Sequence, residues 1–404
     1  MKRKPPPRLT RRDFLKLIGA GSAAVASGAA PALLRAQRAA GPESRVLLHT
    51  FDPASAPAAQ AVRDAMLGAT DLSWLRPGDS VFVKVASNSN YRPPAVTSPA
   101  VVEGVVGLLK AAGAGTVYVG DMSGAQFVRH LAGETIGSTR ENMRQNGLLA
   151  AAEAAGATVH CFEEVPFAQA YFRAAPPGDH HWGGDLYAAE ILDRVDHVVN
   201  LPRLGKHVLA GASLGLKNAI GWISDHSRMV LHRDAATFHE KIVEVNAIPQ
   251  LADRLRLTLT LVDQALTTYG PDAGYRLPLA QPFVLASEDV VSHDQIALLA
   301  LLWARRQTPP AALAEDPFPA ESNGLNWWFV RVYWGEEAAA QYQTLPTFEL
   351  ADPAVPAHVN LAWDSLHGGR PAAVAVTASG LPLNAALADV LTSVPGLGVV
   401  LREV

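Results

Sequence analysis

Three lysines could bind a ligand in a chain in which charged residues make up only 18% of the sequence. Lys206-His207 precedes Lys217-Asn218 by eleven residues, and Lys84 lies in an earlier apolar run. Ammonium groups that meet in one place attract a carboxylate or a phosphate, whereas solvated lysines around flexible turns are the alternative. The residues expected to hold a small anionic ligand are Lys84, Lys206, Lys217, Asn218 and Asp121.

Glycines flank Lys217 on both sides. Gly211, Gly215 and Gly221 lack a Cβ, and this lets backbone amides approach a bound anion closely. We therefore expect the backbone of residues 211–221 to contribute to the anion site.

Histidines offer proton transfer close to neutral pH. His207 and His232 are the two expected to move a proton in catalysis. A divalent metal is a further candidate, because imidazole and carboxylate groups together bind such ions. The spacing fits no compact metal motif, and ordinary histidines on a loop and a helix are the alternative. The residues of this candidate metal set are His207, His226, His232, His239, Asp225 and Asp234.

Carboxylates at strand ends can act as general bases, bind a metal or hold a substrate hydroxyl. Asp121 and Asp263 each end an apolar run, and Asp263 is expected to orient the substrate or ligate a metal during catalysis. Asp289 and Asp294 have the same options, although Ser287 and Asp289 can instead cap the helix that follows.

Several classes of site lack their sequence signature. The chain has no P-loop and no Gly-x-Gly-x-x-Gly after its first strand. The single cysteine, Cys161, excludes an internal disulfide framework and a Cys-ligated iron–sulfur cluster. The net charge of −4 and the lack of a basic stripe with interleaved aromatics argue against nucleic acid as a partner.

The elements that must position these residues alternate between strands and helices. Apolar, β-branched runs predict strands at residues 81–85, 116–121, 158–162, 195–201 and 257–263. A helix is predicted from Pro99 to Ala112, and a strand, a helix and a strand at this spacing form a right-handed crossover between parallel strands. We predict an α/β fold with a mostly parallel sheet flanked by helices, and a site at the carboxyl ends of its strands.

Composition divides the chain into three parts. Residues 1–40 are a signal segment, residues 41–305 an α/β core, and residues 306–404 a Pro/Trp-rich segment with a C-terminal strand–helix–strand unit. A hydrophobic fraction of 49% over 404 residues allows a sizeable buried core.

The amino-terminal segment resembles a twin-arginine (Tat) export signal. Arg11-Arg12 and Phe14-Leu15-Lys16 precede a weakly apolar run, Leu17–Ala30, which is shorter than the roughly 20 residues of a spanning helix. We expect residues 10–16 to engage the Tat export machinery. The folded protein would then reach the periplasm or the outer face of the cytoplasmic membrane, with membrane contact only through an uncleaved signal. A frayed amphipathic helix is the alternative.

The middle of the sequence resembles the family called domain of unknown function 362 (DUF362). The resemblance rests on Pro-x-x-x-Lys-His at 202–207 and Leu-Gly-Leu-Lys-Asn-x-x-Gly at 214–221, and weaker matches extend it over most of residues 45–303. The early Lys-x-Asn pattern of the family is broken here, since Ala86 takes the third place. His232 falls where sequences of this family show a histidine. The resemblance implies an α/β fold and a set of candidate residues, and it names no reaction.

Two functions follow from these residues, and the sequence leaves open whether the protein is an enzyme. The first is an enzyme acting on a small carboxylated or phosphorylated compound, with a metal as a possible aid. In that reading Lys206 and Lys217 hold the anion, and His207 or His232 moves a proton. The second is a solute- or metal-binding protein of the cell envelope that performs no chemistry.

Overall fold

The computed structural model describes residues 44–207, 209–314, 331–332, 335–337, 340, 357–393 and 398–404. Residues 1–40, which are predicted to be a signal segment, and most of the Pro/Trp-rich segment lie outside the described residues. The strands are β1 Ser44–Thr50, β2 Val81–Val85, β3 Val117–Asp121, β4 Arg129–Leu131, β5 Glu134–Ile136, β6 Thr158–Cys161, β7 Tyr171–Arg173, β8 Tyr187–Ala189, β9 His197–Leu201, β10 Gly205–His207, β11 Gly211–Ser213, β12 Leu255–Leu266, β13 Arg276–Ser287, β14 Val374–Gly380 and β15 Val399–Glu403. The helices are α1 Ala58–Ala69, α2 Pro99–Ala111, α3 Thr139–Asn146, α4 Leu148–Ala154, α5 Phe167–Ala170, α6 Gly215–Asn218, α7 Asp225–His232, α8 Phe238–Asn246, α9 Pro249–Ala252, α10 Val290–Arg306, α11 Pro310–Ala314, α12 Ala357–His367 and α13 Ala385–Ser393.

The main sheet has the strand order β15-β14-β1-β13-β12-β9-β2-β3-β6, with β10 and β11 attached beside β12. Neighbours along this order pair in parallel, except that β13 is antiparallel to both β1 and β12. The predicted α/β fold with a mostly parallel sheet is confirmed. The antiparallel β13 makes the sheet mixed.

The five predicted strands correspond to β2, β3, β6, β9 and β12. Every residue of β2 and of β9 is buried, as expected for parallel strands that are covered on both faces. The predicted crossover is present as β2, α2 and β3, in which α2 begins at Pro99 and the two strands pair in parallel.

Two apolar cores lie on opposite faces of the sheet. Val83 of β2 packs in one core with Val62 of α1 and Val102 of α2. The adjacent Phe82 belongs to the other core, which includes Leu299 of α10. Successive residues of a strand point to opposite faces, so helices must cover both sides of β2.

The C-terminal strand–helix–strand unit consists of β14, α13 and β15. Residues 374–380 of β14 pair in parallel with β1, which adds β14 and β15 to the main sheet. Within the part of the chain that the structure describes, no helix combines the length and the apolar character needed to cross a bilayer.

Candidate functional site

Polar side chains converge near the carboxyl ends of β2 and β3, as expected for an open α/β sheet. A pocket at this place, here named the central pocket, has an empty volume of about 880 Å³ including its opening to solvent. Its polar and charged lining side chains are Asn88, Asp121, Gln126, Arg203, His207, Ser213, Lys217, Asn218, Arg228, His232 and Asp272. Among the sequence-predicted site residues, those that line it are Asp121, His207, Lys217, Asn218 and His232.

Lys84 and Asp121 form a buried ion pair at the edge of the central pocket. Lys84 Nζ lies 2.7 Å from Asp121 Oδ1 and also donates to the Val85 carbonyl oxygen at 2.7 Å. Asp121 further accepts hydrogen bonds from the amides of Ser87 at 2.7 Å and Met122 at 2.8 Å. The pair therefore ties together the loops that follow β2 and β3. Lys84 is fully buried and is not among the residues that line the pocket.

Gly221 lies directly against this ion pair and lines the pocket. A Cβ at residue 221 would lie 2.4 Å from Lys84 Nζ and 2.5 Å from Asp121 Oδ1. A side chain at this position must therefore displace one of the two charged groups. The glycine is needed for space, because an ordinary Cβ contact is well above 3 Å.

Replacing Gly221 by Ala is expected to lower the free energy of unfolding by about 1–3 kcal/mol, the usual cost of overpacking a core. Chemical denaturation of the two proteins measures the difference. The matched control is Gly107→Ala in α2, where a Cβ would meet nothing within 4 Å. Alanine is the better helix former, so the control should be neutral or stabilising by up to about 1 kcal/mol. Equal effects of the two substitutions would contradict the close contact at Gly221.

The short helix α6, which carries Lys217 and Asn218, is held by a buried carboxylate. Asp294 accepts hydrogen bonds from the amides of Gly215 and Leu216, each at 2.7 Å. The Gly215 amide is thus used inside the protein, which corrects the expectation that it approaches a ligand. A Cβ at Gly215 would lie 2.7 Å from Asp294 Oδ1, so glycine is required for the approach of this carboxylate. Asp294 therefore supports α6.

Buried amide side chains fix α6 along its length. Asn218 Nδ2 donates to Asn200 Oδ1 at 2.7 Å, and Asn200 Nδ2 donates to the Gly215 carbonyl oxygen at 3.1 Å. Asn246 Nδ2 donates to the Leu216 carbonyl oxygen at 3.0 Å. Because buried polar networks of this kind are rigid when each member is bonded, α6 presents Lys217 from a fixed backbone.

The helix cap of α10 is Asp289, in agreement with the structural alternative for this residue. Asp289 Oδ1 accepts from the amides of Val291 at 2.7 Å and Ser292 at 3.1 Å. Ser287 ends β13 and donates to the Arg45 carbonyl oxygen at 2.7 Å, so it is not the cap.

Lys217 lines the central pocket with no carboxylate within ion-pair distance in the described part of the chain. Burial is the largest cause that lowers the pKa of its ammonium group, to about 7. Nearby positive charges act in the same direction, and they belong to Arg203, Arg228 and Lys84. An ordinary lysine has a pKa of about 10.4 and is fully protonated at neutral pH. Lys217 is therefore a buried amine in a positive environment.

Arg228 places a buried positive charge on the pocket wall. Its guanidinium donates to the carbonyl oxygens of Ser123 at 2.7 Å, Met122 at 2.9 Å, Gly221 at 3.1 Å and Ile220 at 3.2 Å. Carbonyl oxygens satisfy the donors without cancelling the formal charge. The positive potential of Arg228 therefore remains available to a ligand.

Arg203 and Asp272 form the opposite part of the lining. Arg203 is buried, and its Nη1 has no hydrogen-bond partner among the described residues. Burial lowers the pKa of Arg203 to about 10, although the Asp272 carboxylate opposes this shift. Asn88 Nδ2 donates to Asp272 Oδ1, while burial raises the pKa of Asp272. A buried donor without a partner is costly unless a ligand or water meets it.

The two pocket histidines are held in opposite tautomers. His207 Nδ1 accepts from the amides of Leu209 at 3.1 Å and Ala210 at 3.2 Å, so the proton of the neutral ring is on Nε2. His232 Nδ1 lies 2.6 Å from the Arg228 carbonyl oxygen and must donate to it, so Nε2 carries the lone pair. Burial, followed by the charge of Lys217, lowers the pKa of His207 well below its usual value and that of His232 to about 3. One imidazole presents a donor and the other a base.

Lys206 and Asp263 are not brought to the central pocket. Lys206 is buried in β10 between Gly205 and His207, and alternation along the strand sends it to the face opposite His207. Asp263 lines a smaller pocket with Leu261, while Val262 packs in the core on the other face of the sheet. The expectation that Lys206 and Asp263 share one cleft with Lys217 is therefore not met.

The candidate metal set is also dispersed. His226 is exposed and lies 3.2 Å from Asp185, whereas the ring of His239 stacks on that of His358. Asp234 bonds to Lys241 at 2.6 Å. In the part of the chain that the structure describes, no three His, Cys, Asp or Glu side chains are grouped in a way that could hold a metal ion.

Three charged residues of the pocket were not singled out from the sequence. Arg228 precedes His232 by four residues in a helix, a spacing that places both on one face, and this signal was available. Arg203 lies within the motif at 202–207, where its charge in an apolar context was a weaker signal. Asp272 follows β12 in a loop, and no pattern in the sequence marks it.

The comparisons with known proteins identify the family of this chain. The family described as Domain of unknown function (DUF362) matches residues 81–298, which is more than half of the chain and includes every charged residue of the central pocket. A curated thylakoid-associated protein of Synechocystis sp. is 25% identical over 255 residues, which cover 60% of this chain and 69% of that protein. The chain therefore belongs to the DUF362 family.

Proposed function

We propose that the central pocket binds a small anionic compound, a carboxylate or a phosphate, and that the protein is an enzyme acting on it. The observation that carries the proposal is the excess of buried positive charge around Lys217. The cations Arg203, Lys217 and Arg228 line the pocket. Its lining carboxylates are Asp272 and Asp121, and Asp121 is already paired with Lys84. A ligand of negative charge restores the balance.

The enzymatic part of the proposal rests on the two histidines. Neutral imidazoles of opposite tautomer in the same pocket can give a proton and accept one. The rings of His207 and His232 are close enough to Lys217 for its charge to lower the pKa of both. A binding protein that performs no chemistry needs no such pair. Release of the bound anion unchanged would show that the protein is of this second kind.

Lys217→Met is expected to weaken the binding of inorganic phosphate or pyruvate by about 10- to 150-fold, the scale of one charge-assisted hydrogen bond. The same substitution should raise the free energy of unfolding at pH 8. The Lys217 amine must lose its proton to be buried at this pH, whereas methionine has no charge to lose. Calorimetric titration measures the first effect and chemical denaturation the second.

The control for Lys217→Met is Lys110→Met, at an exposed lysine of α2, which should leave anion binding unchanged. Loss of stability in Lys217→Met with unchanged affinity in the folded protein would show that the lysine is structural. Equal binding of acetone and pyruvate would show that the pocket does not select for charge.

We further propose that the protein is exported by the Tat route, on the strength of Arg11-Arg12 ahead of the apolar run. Replacing both arginines by Lys should retain the protein in the cytoplasm, which cell fractionation detects. The intact mass of the exported wild-type protein tells whether the signal is removed or remains as an anchor. Unchanged delivery of the double variant to the envelope contradicts Tat export.

A further inference from the structure

We propose that Lys217 is a nucleophile and that the substrate is an oxo acid, a compound with both a carbonyl group and an anionic group. Lys217 would condense with the carbonyl to form a Schiff base. The inference rests on the proposed function, because it assigns a covalent role to a residue of the same anion-binding pocket.

The first argument is the fixed position of the amine. Asp294 holds the start of α6 through two backbone amides, and Asn218 holds its end through Asn200. A nucleophile on a rigid element loses little entropy when it meets its target. These buried hydrogen bonds use the backbone of α6 and the Asn218 side chain. They do not use the Lys217 side chain, which lines the pocket.

The second argument is the charge around the amine. An amine attacks a carbonyl only when it is unprotonated, and lysines acquire this state when they are desolvated beside another cation. Lys217 meets both conditions: it is buried, and Arg228 and Arg203 are nearby while no carboxylate in the described ranges lies within ion-pair distance.

The third argument is the set of groups around Lys217. Arg228 and the unpartnered Nη1 of Arg203 provide positive charge for the carboxylate of an oxo acid. His207 offers an N–H and His232 a lone pair in the same pocket. The site thus combines an amine, an anion-attracting wall and two proton-transfer groups, which are the parts that condensation requires.

The step balances without an oxidant or a reductant. The lone pair of Lys217 Nζ forms a bond to the carbonyl carbon, and the π electrons move to the oxygen, which takes a proton from an imidazole N–H. The second imidazole removes a proton from the nitrogen to give a neutral carbinolamine. The second imidazole returns its proton to the hydroxyl, so water leaves as the nitrogen lone pair forms the C=N bond. The nitrogen then gives its remaining proton back to the first imidazole, which leaves the Schiff base and both neutral rings.

Trapping with sodium borohydride tests the proposal. The purified protein is incubated separately with pyruvate and 2-oxoglutarate, reduced and analysed by intact mass and peptide mapping. The expected result is one adduct per chain on Lys217 for at least one of these acids, formed at least ten times faster than adducts on other lysines. Inorganic phosphate in excess should suppress it. Lys217→Arg should abolish the adduct, while Lys110→Arg should retain it.

The outcomes separate this inference from the proposed function. Binding of inorganic phosphate with no adduct, or with adducts spread over exposed lysines, overturns the Schiff base and leaves anion binding intact. Failure to bind either phosphate or the two oxo acids overturns the proposed function itself. Lys217→Arg should bind phosphate more tightly than Lys217→Met and should form no adduct. This result shows that the charge and the nucleophile are distinct properties of Lys217.

Discussion

Replacing Asp121 by Asn is expected to lower the free energy of unfolding by about 3–5 kcal/mol, because it leaves the buried Lys84 ammonium without its counter-charge. Lys84 is fully buried, and burial already lowers its pKa despite the attraction of Asp121. The Asp121 carboxylate also accepts hydrogen bonds from the amides of Ser87 and Met122. The substitution therefore also weakens the connection between the loops that follow β2 and β3. Chemical denaturation measures the loss.

A matched control for Asp121→Asn is Glu141→Gln, which breaks the exposed pair with Arg144. Such surface pairs contribute about 0–1 kcal/mol, so the control should change little. Combining Asp121→Asn with Lys84→Met should recover part of the lost free energy of unfolding, because the unpaired Lys84 ammonium is then also removed. A loss below about 1 kcal/mol for Asp121→Asn would show that the pair does not hold this edge of the pocket.

Lowering the pH from 7 to 5 is expected to reduce the free energy of unfolding by about 2 kcal/mol for each deeply buried histidine. His207, His232 and His358 have pKa values lowered far below 6.5, mainly by burial. The unfolded rings take up protons below pH 6.5, whereas the folded rings stay neutral until a much lower pH, about 3 for His232. Their stabilisation is therefore complete above pH 6.5 and is lost as the pH falls.

The substitution His232→Asn isolates one of these contributions. Asn can still donate to the Arg228 carbonyl oxygen, but it does not titrate, so its unfolding free energy should fall by about 2 kcal/mol less between pH 7 and pH 5. His226→Asn is the control, at an exposed histidine of the same helix. Identical pH dependence in His232→Asn and in the wild type would contradict a neutral, buried His232.

The sequence was sufficient to predict several strands of the sheet and part of the pocket. Mostly apolar runs predicted β2, β3 and β9, because strands covered on both faces do not alternate with polar residues. Asp121 was correctly expected at a strand end. Its pairing with Lys84 depends on register, since Lys84 lies opposite Gly120 in the neighbouring strand, and no local pattern specifies that register.

The residues whose roles were predicted wrongly or not at all are those set by tertiary contacts. Asp263 was expected to end a strand, but β12 continues to Leu266. The face to which Asp263 points depends on a register shift between Val262 and Gln264. Asp294 supports α6 from a helix that begins far along the chain, so its partners could not be inferred from spacing. Arg228 donates to carbonyls of two separate loops, an arrangement that exists only in the folded protein.

The location of a bound anion decides whether the central pocket is the anion site. Crystals of the purified protein can be soaked in sodium selenate, and anomalous scattering then marks the selenium positions. The account predicts a peak inside the central pocket next to Lys217 and Arg228, removed by inorganic phosphate and lost in Lys217→Met. Peaks confined to exposed basic residues, with the central pocket carrying none, would contradict the assignment of this pocket as the anion site.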